Sequence, residues 1–409
     1  MNRHIFTFSV IALLTTIGYA NEADSVFYET DEIEVTASRI RTPLPKASRI
    51  IGIMTQEQIN SYAVQSVNDI LKYAVGVDVR QRGPIGAQTD VGVRGGNFEQ
   101  VAILLDGINI CDPQTGHNSF DFPVDMSDID HIEVLEGPAG RAYGSSSLMG
   151  AINIVTKTAA RTQAQAHMEA GSWGYAAAGA RADAVSNGSN NMLSVNYGRS
   201  DGYSRSKAGR LNADMEYKKA FYKGGYTDDD IKVNWHAGAS IKDWGSNTFY
   251  SAKFDDQFEH TVKTYTALQA ENRIGRVHIH PSAWWNHNED RFELIRGSED
   301  AVKFNYHRSD VAGVGFNSWF DWTLGRTAIG AELKNENLVS GNLGEPLTEH
   351  KHIKGTERNY TLGLNRTNIS FIVEHNINLK WFSMSAGVVG VRNSWNGMDM
   401  RFYPGVDMS

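Results

Sequence analysis

Residues 231–242 read IKVNWHAGASIK. Ile231, Val233, Trp235, Ala237, Ala239 and Ile241 alternate with Lys232, Asn234, His236, Gly238, Ser240 and Lys242. A period of two places the first set on one face of a strand and the second on the other. A strand of about ten residues, apolar outside and polar inside, is what the wall of a transmembrane β-barrel requires. A soluble β-sandwich alternates as well. The pattern returns at Leu193, Val195 and Tyr197 against Ser194, Asn196 and Gly198, and less cleanly at Ile369, Phe371 and Val373 against Ser370, Ile372 and Glu374. Trp235, Tyr250, Trp284, Trp285, Trp319, Trp322 and Trp381 fall towards strand ends, as in the aromatic girdles of membrane barrels.

Composition agrees. The chain has 409 residues, 47 acidic against 39 basic side chains, and a net charge of −8. That balance speaks against a nucleic-acid partner. A single cysteine, Cys111, excludes an intramolecular disulfide framework and a multi-cysteine zinc site. A mean hydropathy of −0.39 excludes a bundle of membrane helices but not a barrel, whose strands need not be apolar on average.

Arg3 and His4 precede the apolar run Ile5 to Ile17, and Gly18-Tyr19-Ala20 stands before Asn21. A basic start, a short apolar stretch and small residues before a cleavage point predict a secretory signal peptide over residues 1–20. Residues 21–45 form an exposed lead-in, in which Ile33, Val35 and Ala37 alternate with Glu32, Glu34 and Thr36. That stretch can form a strand but has no partner nearby in sequence. Residues 46–158 read as a compact α+β domain. Short strands are expected at Ile50 to Met54, Val77 to Val79, Val101 to Leu105, Ile132 to Leu135 and Ile152 to Thr156. Two helices open at the capping pairs Thr55/Gln58 and Ser66/Asp69. Residues 159–409 carry the long alternating strands.

Several motifs sharpen this reading. Asp31-Glu32-Ile33-Glu34-Val35-Thr36-Ala37 resembles the energy-coupling box of TonB-dependent outer-membrane transporters. Residues 66–117, SVNDILKYAVGVDVRQRGPIGAQTDVGVRGGNFEQVAILLDGINICDPQTGH, and 129–157, IDHIEVLEGPAGRAYGSSSLMGAINIVTK, are similar to the front and the closing segment of that family's plug domain. The resemblance implies a mainly β protein: an N-terminal α+β plug followed by part of a large antiparallel transmembrane β-barrel. It implies a Gram-negative outer-membrane location, lipid around the barrel, and a partner, the periplasmic domain of the TonB energy-transducing protein, that adds a strand to the box. The family uses ~22 strands, whereas the residues after 158 supply about 12 or 13 at ~10 residues per crossing. The expectation is therefore a barrel cut short at its C-terminus, against the rival of a complete small barrel with too little room for a plug.

No catalytic constellation stands out. GPAGRAYGSSS, residues 137–147, lacks the Gly-Lys-Ser/Thr ending of a nucleotide loop and is read as turns. Glu133, Glu136, Arg94 and Arg141 are expected to form charge pairs. His278 and His280 share a strand face but fall short of a ligand set, and Asp228-Asp229-Asp230 reads as a solvated turn. No cofactor or metal is expected. Cys111 reads as a spare small side chain. The resemblance implies that plug loops at the outer face bind the ligand. Residues 82–89 and 112–118 are the candidates, with Arg82, Gln88, Asp112, Gln114, His117 and Asn118 as contacts. Residues 242–271, KDWGSNTFYSAKFDDQFEHTVKTYTALQAE, are similar to barrels of the cobalamin-receptor type. A corrinoid is the first expected ligand, with an iron-siderophore or an oligosaccharide as alternatives, and a non-transporting ligand-binding remnant as the rival function.

Overall fold

The computed structural model describes residues 34–35, 42–43, 51–81, 88–137, 147, 149–203, 206–207, 209–379, 381–397 and 399–408. The expected signal peptide lies outside these residues. So do Asp31, Glu32, Ile33, Thr36, Ala37, Ile50, Arg82 and Arg141. Two residues of the box are described: Glu34–Val35 (β1) pairs antiparallel with Thr42–Pro43 (β2), Val35 opposite Thr42. The strand expected to lack a nearby partner thus has one.

The α+β domain is built on a five-stranded mixed sheet. Its strands are Ile51–Met54 (β3), Val101–Leu105 (β6), Ile108–Asn109 (β7), Ile129–Glu136 (β8) and Gly150–Thr156 (β9), in the order β3-β8-β9-β6-β7. Only β6 and β9 run parallel. A separate hairpin pairs Val77–Gln81 (β4) with Thr89–Val93 (β5). Both expected helices form. Gln56–Ser61 (α1) starts at a capping box in which Thr55 and Gln58 satisfy each other's backbone N–H, and Val67–Leu71 (α2) starts at Ser66. Alternation decides which side chains meet. Ile103, Leu105, Ile132, Val134, Ile152 and Ile154 pack with Ile70 and Leu71 in the main core. Their neighbours Ala102, Leu104, Leu135 and Ala151 form a smaller cluster.

From Gln163 the chain forms an antiparallel sheet of thirteen strands. They are Gln163–Ala170 (β10), Ala176–Ser186 (β11), Ser189–Ser200 (β12), Met215–Thr227 (β13), Ile231–Asn247 (β14), Gln257–Ile274 (β15), Val277–Glu293 (β16), Asn305–Trp322 (β17), Gly325–Ser340 (β18), Glu345–His352 (β19), Asn359–Leu379 (β20), Phe382–Asn393 (β21) and Arg401–Met408 (β22). Each pairs with its neighbour in sequence, except that β18 pairs with β20 and β19 is an extra hairpin strand on β20. Among the described residues β10 and β22 do not pair with each other. The expected alternation appears as two environments. Leu193 and Val195 are 51% and 50% exposed, while Ser194 and Asn196 between them are 1% and 7% exposed. Phe371 and Val373 face out and Ile372 and Glu374 face in. One end of the sheet carries short turns, such as those at 187–188, 275–276 and 323–324. The other carries longer connections, such as 201–214, 248–256 and 341–358. Asp228-Asp229-Asp230 sits in a short turn, where Asp228 accepts from the backbone N–H groups of Asp230 and Ile231.

The inward, polar face of this wall holds the α+β domain. Asp121 takes Lys242 at 2.7 Å and Thr261 at 3.1 Å. Asp128 accepts from Ser194 at 2.6 Å, and Lys219 and Arg181 donate to the carbonyls of Val124 and Ser127. Gly238 is glycine for a steric reason, because a Cβ there would lie 2.8 Å from Pro123 of the inner domain. At the short-turn end, Asp106 and Gly107 close the β6–β7 hairpin with φ of 49° and 82°, the left-handed pair that a two-residue hairpin turn needs. This turn aims Asp106 at Lys223 (3.3 Å) and at the Thr156 N–H and hydroxyl (2.9 and 2.6 Å). Burial pushes the Asp106 carboxyl up, but Lys223, His236 and Thr156 outweigh it and hold the group below its ordinary range.

The expected charge pairs form in part. Arg94 pairs with Glu136 at 2.6 Å. Glu133 meets His131 Nε2 at 3.2 Å and Asn153 Nδ2 at 3.0 Å, and Arg141 lies outside the described residues. Burial lowers the affinity of His131 for its proton, but hydrogen bonds to Asp130 and Glu133 outweigh this and push it up to about 9. A raised histidine stabilises the fold fully below its unfolded value of ~6.5 and loses that contribution as pH rises through the folded value. Denaturant unfolding of the inner domain should therefore weaken between pH 6.5 and 9.5, by about 2 kcal/mol after allowance for the half-exposed Asp130. His131→Gln should show no such slope, and an equal slope in both proteins would refute the assignment.

Candidate functional site

The long-loop end of the inner domain gathers most of the residues expected to bind ligand. Gln88 directly precedes β5, which is anchored there by the hydrogen bond from Asn68 to Thr89 (2.9 Å). His117 lies in the short 3-10 helix Gly116–Phe120. Its Nδ1 is 2.6 Å from Asp90 Oδ1, and its ring lies against Phe98 at 4.2 Å, tilted by 32°. Gly116 allows this, because a Cβ there would lie 2.6 Å from the Phe98 ring. Phe249 and Tyr250, from the connection between β14 and β15, meet the His117 ring edge-on at 5.7 and 6.1 Å.

Tyr250 ties the two domains together at this end. Its hydroxyl is 3.1 Å from both Gln88 Oε1 and Glu259 Oε2. One O–H cannot serve two acceptors fully, and Gln88 Nε2 is buried without a partner. Rotating the Gln88 amide resolves both, since the N–H then donates to Tyr250 and the hydroxyl to Glu259. Burial, followed by the Glu259 and Asp290 charges, pushes the Tyr250 phenol well above its ordinary value, so it stays a donor.

Asp112 and Gln114 face a second space. Asp112 Oδ1 accepts from the Gln114 N–H (3.0 Å) and from Ser309 Oγ of the wall (2.8 Å). Burial pushes the Asp112 carboxyl up. Gln114 Oε1 is buried without a partner. Both residues line a cavity of about 240 Å³ with Cys111, Phe98 and the wall residues Lys334, Glu336, Arg366 and Asn368. Glu336 organises that wall, taking Lys334 at 2.8 Å, Arg366 at 2.5 Å and Asn368 at 3.0 Å. The register explains the grouping: Glu336 stands opposite Arg366, and Lys334 opposite Asn368. Cys111 packs beside this cavity, and its sulfur accepts from the Ile103 N–H at 3.3 Å. Burial pushes its thiol up, consistent with an inert side chain.

The structure thus places Gln88 with His117, and Asp112 with Gln114. Phe98 joins the groups, since it packs against His117 and lines the cavity. Arg82 lies outside the described residues, as does the side chain of Asn118. Of the two strand histidines, His278 stacks on Trp319 at 5.0 Å. Sequence reading missed Phe98, Asp90, Tyr250 and the Glu336 cluster. The cluster had a signal: Lys334 and Glu336, and Arg366 and Asn368, are spaced by two and so share a strand face. The Tyr250 contact, reaching to Gln88 from a distant connection, had none.

Residues 44–151 match the family model of the TonB-dependent receptor plug domain. The chain is 31% identical over 156 residues to the vitamin B12 transporter BtuB of Vibrio vulnificus, which covers 38% of this chain and 25% of that protein. It is 30% identical over 165 residues to the vitamin B12 transporter BtuB of Vibrio cholerae, covering 40% and 26%. These alignments span about a quarter of the curated relatives' length. Among solved structures, the ferric enterobactin receptor PfeA of Pseudomonas aeruginosa with bound enterobactin matches with a TM-score of 0.69 at 15% identity, over 88% of this chain and 60% of that one. The unliganded ferric citrate transporter FecA matches at 0.65 and 13% identity, over 89% and 60%. At these identities the structural likeness shows a shared fold, a plug domain set against a large antiparallel barrel sheet.

Tyr250→Phe removes the hydroxyl and leaves Gln88 and Glu259 buried without it. It should cost about 1–3 kcal/mol of local stability, read as faster hydrogen exchange across residues 248–256 and at Gln88. Unchanged exchange there would show that the bridge is not formed.

Proposed function

Starting from a chain that carries a TonB-dependent receptor plug domain against a barrel-type sheet, we propose that it is the ligand-binding and gating part of an outer-membrane receptor. That receptor takes up a bulky nutrient with energy supplied from the periplasmic side. In this reading the short turns face the periplasm and the long connections face outward. The signal peptide over residues 1–20 exports the chain, lipid surrounds the exposed faces of the wall, and the plug blocks the lumen at rest. The proposed ligand lies over Gln88, Asp112, Gln114, His117 and Asn118, with Arg82 as a further contact, at the outer face of the plug.

A corrinoid is the ligand this reading favours. The observation that carries it is the 30–31% identity to vitamin B12 transporters over 156–165 residues. The chemistry of the cavity supports it. Lys334 and Arg366 share the one carboxylate of Glu336, and Glu99 and Glu332 line the same cavity, so acidic groups outnumber the cations that could recruit a polyanionic iron chelate. Amide and carboxylate groups such as Gln114 and Asp112 suit a neutral ligand rich in amides. The second reading, a siderophore receptor, rests on the fold shared with such receptors. Titration of the detergent-solubilised chain separates the two. Cyanocobalamin should bind saturably in the micromolar range or below, and alanine at His117 or Gln114 should weaken it about fivefold or more. Saturable binding of ferric enterobactin or ferric citrate with no response to cyanocobalamin would reverse the ligand assignment.

Energy coupling is proposed to run through residues 31–37. The mode is strand addition, in which a partner strand hydrogen-bonds to the extended backbone. The β1–β2 pairing at Glu34–Val35 keeps part of the box extended before a partner arrives. Val35→Pro removes a donor and fixes φ. In cells, uptake of cyanocobalamin should fall to background while binding to whole cells persists. Uptake at the unmodified rate would remove the box from the coupling path.

A further inference from the structure

The long connections of the wall are tied to one another, and the tie passes through one arginine. Arg296 follows β16. Its guanidinium donates to both carboxylate oxygens of Asp214, at 2.6 and 2.9 Å, and to Asn212 Oδ1 at 3.3 Å. It also lies 4.3 Å from the centre of the Phe258 ring. The Arg296 backbone N–H donates to the Asp256 carbonyl at 2.8 Å. Asn212 is buried and completes the tie, with Nδ2 donating to the carbonyls of Asp255 (3.1 Å) and Gln257 (2.9 Å). Arg210 pairs with Asp256. Three stretches, residues 209–214, 248–256 and 294–297, are joined in this way.

The middle stretch is folded on a buried amide. Gln257 accepts from the Tyr250 N–H at 2.9 Å and donates to the carbonyls of Ser251 and Phe254 at 3.0 and 2.7 Å. That fixes the turn that carries Phe249 and Tyr250. Their rings meet at 4.4 Å, and Tyr250 meets Phe292 of the wall at 4.6 Å. Both rings stand edge-on to His117, and the Tyr250 hydroxyl reaches Gln88, which is 3% exposed. At that exposure a ligand reaches Gln88 only by displacing Tyr250. Tyr250 moves with the stretch folded on Gln257, and that stretch is tied through Asn212 to Arg296. The apparent affinity of such a ligand is reduced by the fraction of molecules in which the stretch is lifted.

We propose that Arg296 is a positioning residue that clasps the three stretches into one lid, seated on Gln88 and His117, and that the clasp sets how often the outer site opens. This role presupposes that ligand binds at Gln88 and His117, as proposed above. A bidentate guanidinium–carboxylate pair supplies the geometric specificity a clasp needs. The Arg296 and Asp214 side chains are each 35% exposed, so the pair is open to screening by salt.

Labelling of His117 by diethyl pyrocarbonate, read by peptide mass spectrometry on the full chain in detergent, measures the opening without a ligand. Arg296→Gln should raise the His117 rate about fivefold, and Asp214→Asn should do the same. The double variant should be no faster than either single one, because both remove the same pair. Arg296→Lys keeps the charge but loses the fork, and should fall between. His131, in the inner domain, should label at one rate throughout, as a check that the fold is kept. On the unaltered protein, raising salt from about 0.05 to about 1 M should speed His117 labelling, and in Arg296→Gln it should not. Should a variant unfold and raise His131 as well, the salt response of the unaltered protein decides. Unchanged His117 labelling in the single variants, effects that multiply in the double variant, or no salt response of the unaltered protein would each overturn the clasp. If cyanocobalamin fails to bind while His117 responds as stated, the ligand assignment falls and the clasp stands.

Discussion

The constraint on which the structure depends is the two-residue period of the wall strands. A strand that faces an apolar medium on one side must turn its polar residues to the other. The inner face of the wall is therefore polar by necessity, with Ser194, Lys223, Lys242, Thr261, Asn286 and Ser309 pointing in. The domain seated against it cannot be held mainly by apolar area. It is held by hydrogen bonds and ion pairs, from Asp106 at one end through Asp121 and Asp128 to Asp112.

Such an interface is specific without being strongly adhesive. Taking a charge pair out of water offsets much of its own attraction, so the pair contributes little net stability. Removing one partner, however, strands the other and costs about 3–5 kcal/mol. Asp106 shows the balance: burial opposes its charge, and only Lys223, His236 and Thr156 together reverse that. The plug is thus fixed in one position by geometry more than by depth of energy. A coupling pull of the kind proposed needs that combination, since an apolar core of equal area would resist displacement more strongly.

The fold was legible where a local rule decides it. Capping pairs at Thr55 and Ser66 marked both helices, and alternation at 193–198, 231–242 and 369–374 marked wall strands. The site was legible in part. Gln88, Asp112, Gln114 and His117 sit at the long-loop end because turn-rich plug segments reach it. Tyr250 and Phe249 were not legible, since their roles depend on which wall strand meets which plug loop. The Glu336 cluster was legible only as two pairs spaced by two, Lys334 with Glu336 and Arg366 with Asn368, because the register that joins the pairs across thirty positions of chain is not local. The contact of Glu133 with Asn153 was not legible for the same reason, since the β8–β9 register sets the two opposite each other.

The segment from Asp106 to His117 carries the consequence of this arrangement. It is anchored at Asp106 to Lys223, at Asn109 to Asn286 (3.1 Å), at Asp112 to Ser309, and at His117 to Asp90. Asn109 lines both the cavity beside Asp112 and a second one, of about 430 Å³, at the short-turn end, so the two spaces adjoin along this one stretch of backbone. Each anchor is a single polar contact, of about 0.5–1.5 kcal/mol net when neutral and about 1.5–3 when charged. Broken one after another, they present a series of small steps, with water able to replace each lost partner. Broken at once, they would sum to several kcal/mol. In the proposed coupling, a displacement that starts at the short-turn end, where Asp106 sits, and proceeds along the segment would loosen the contacts around the proposed outer site one at a time.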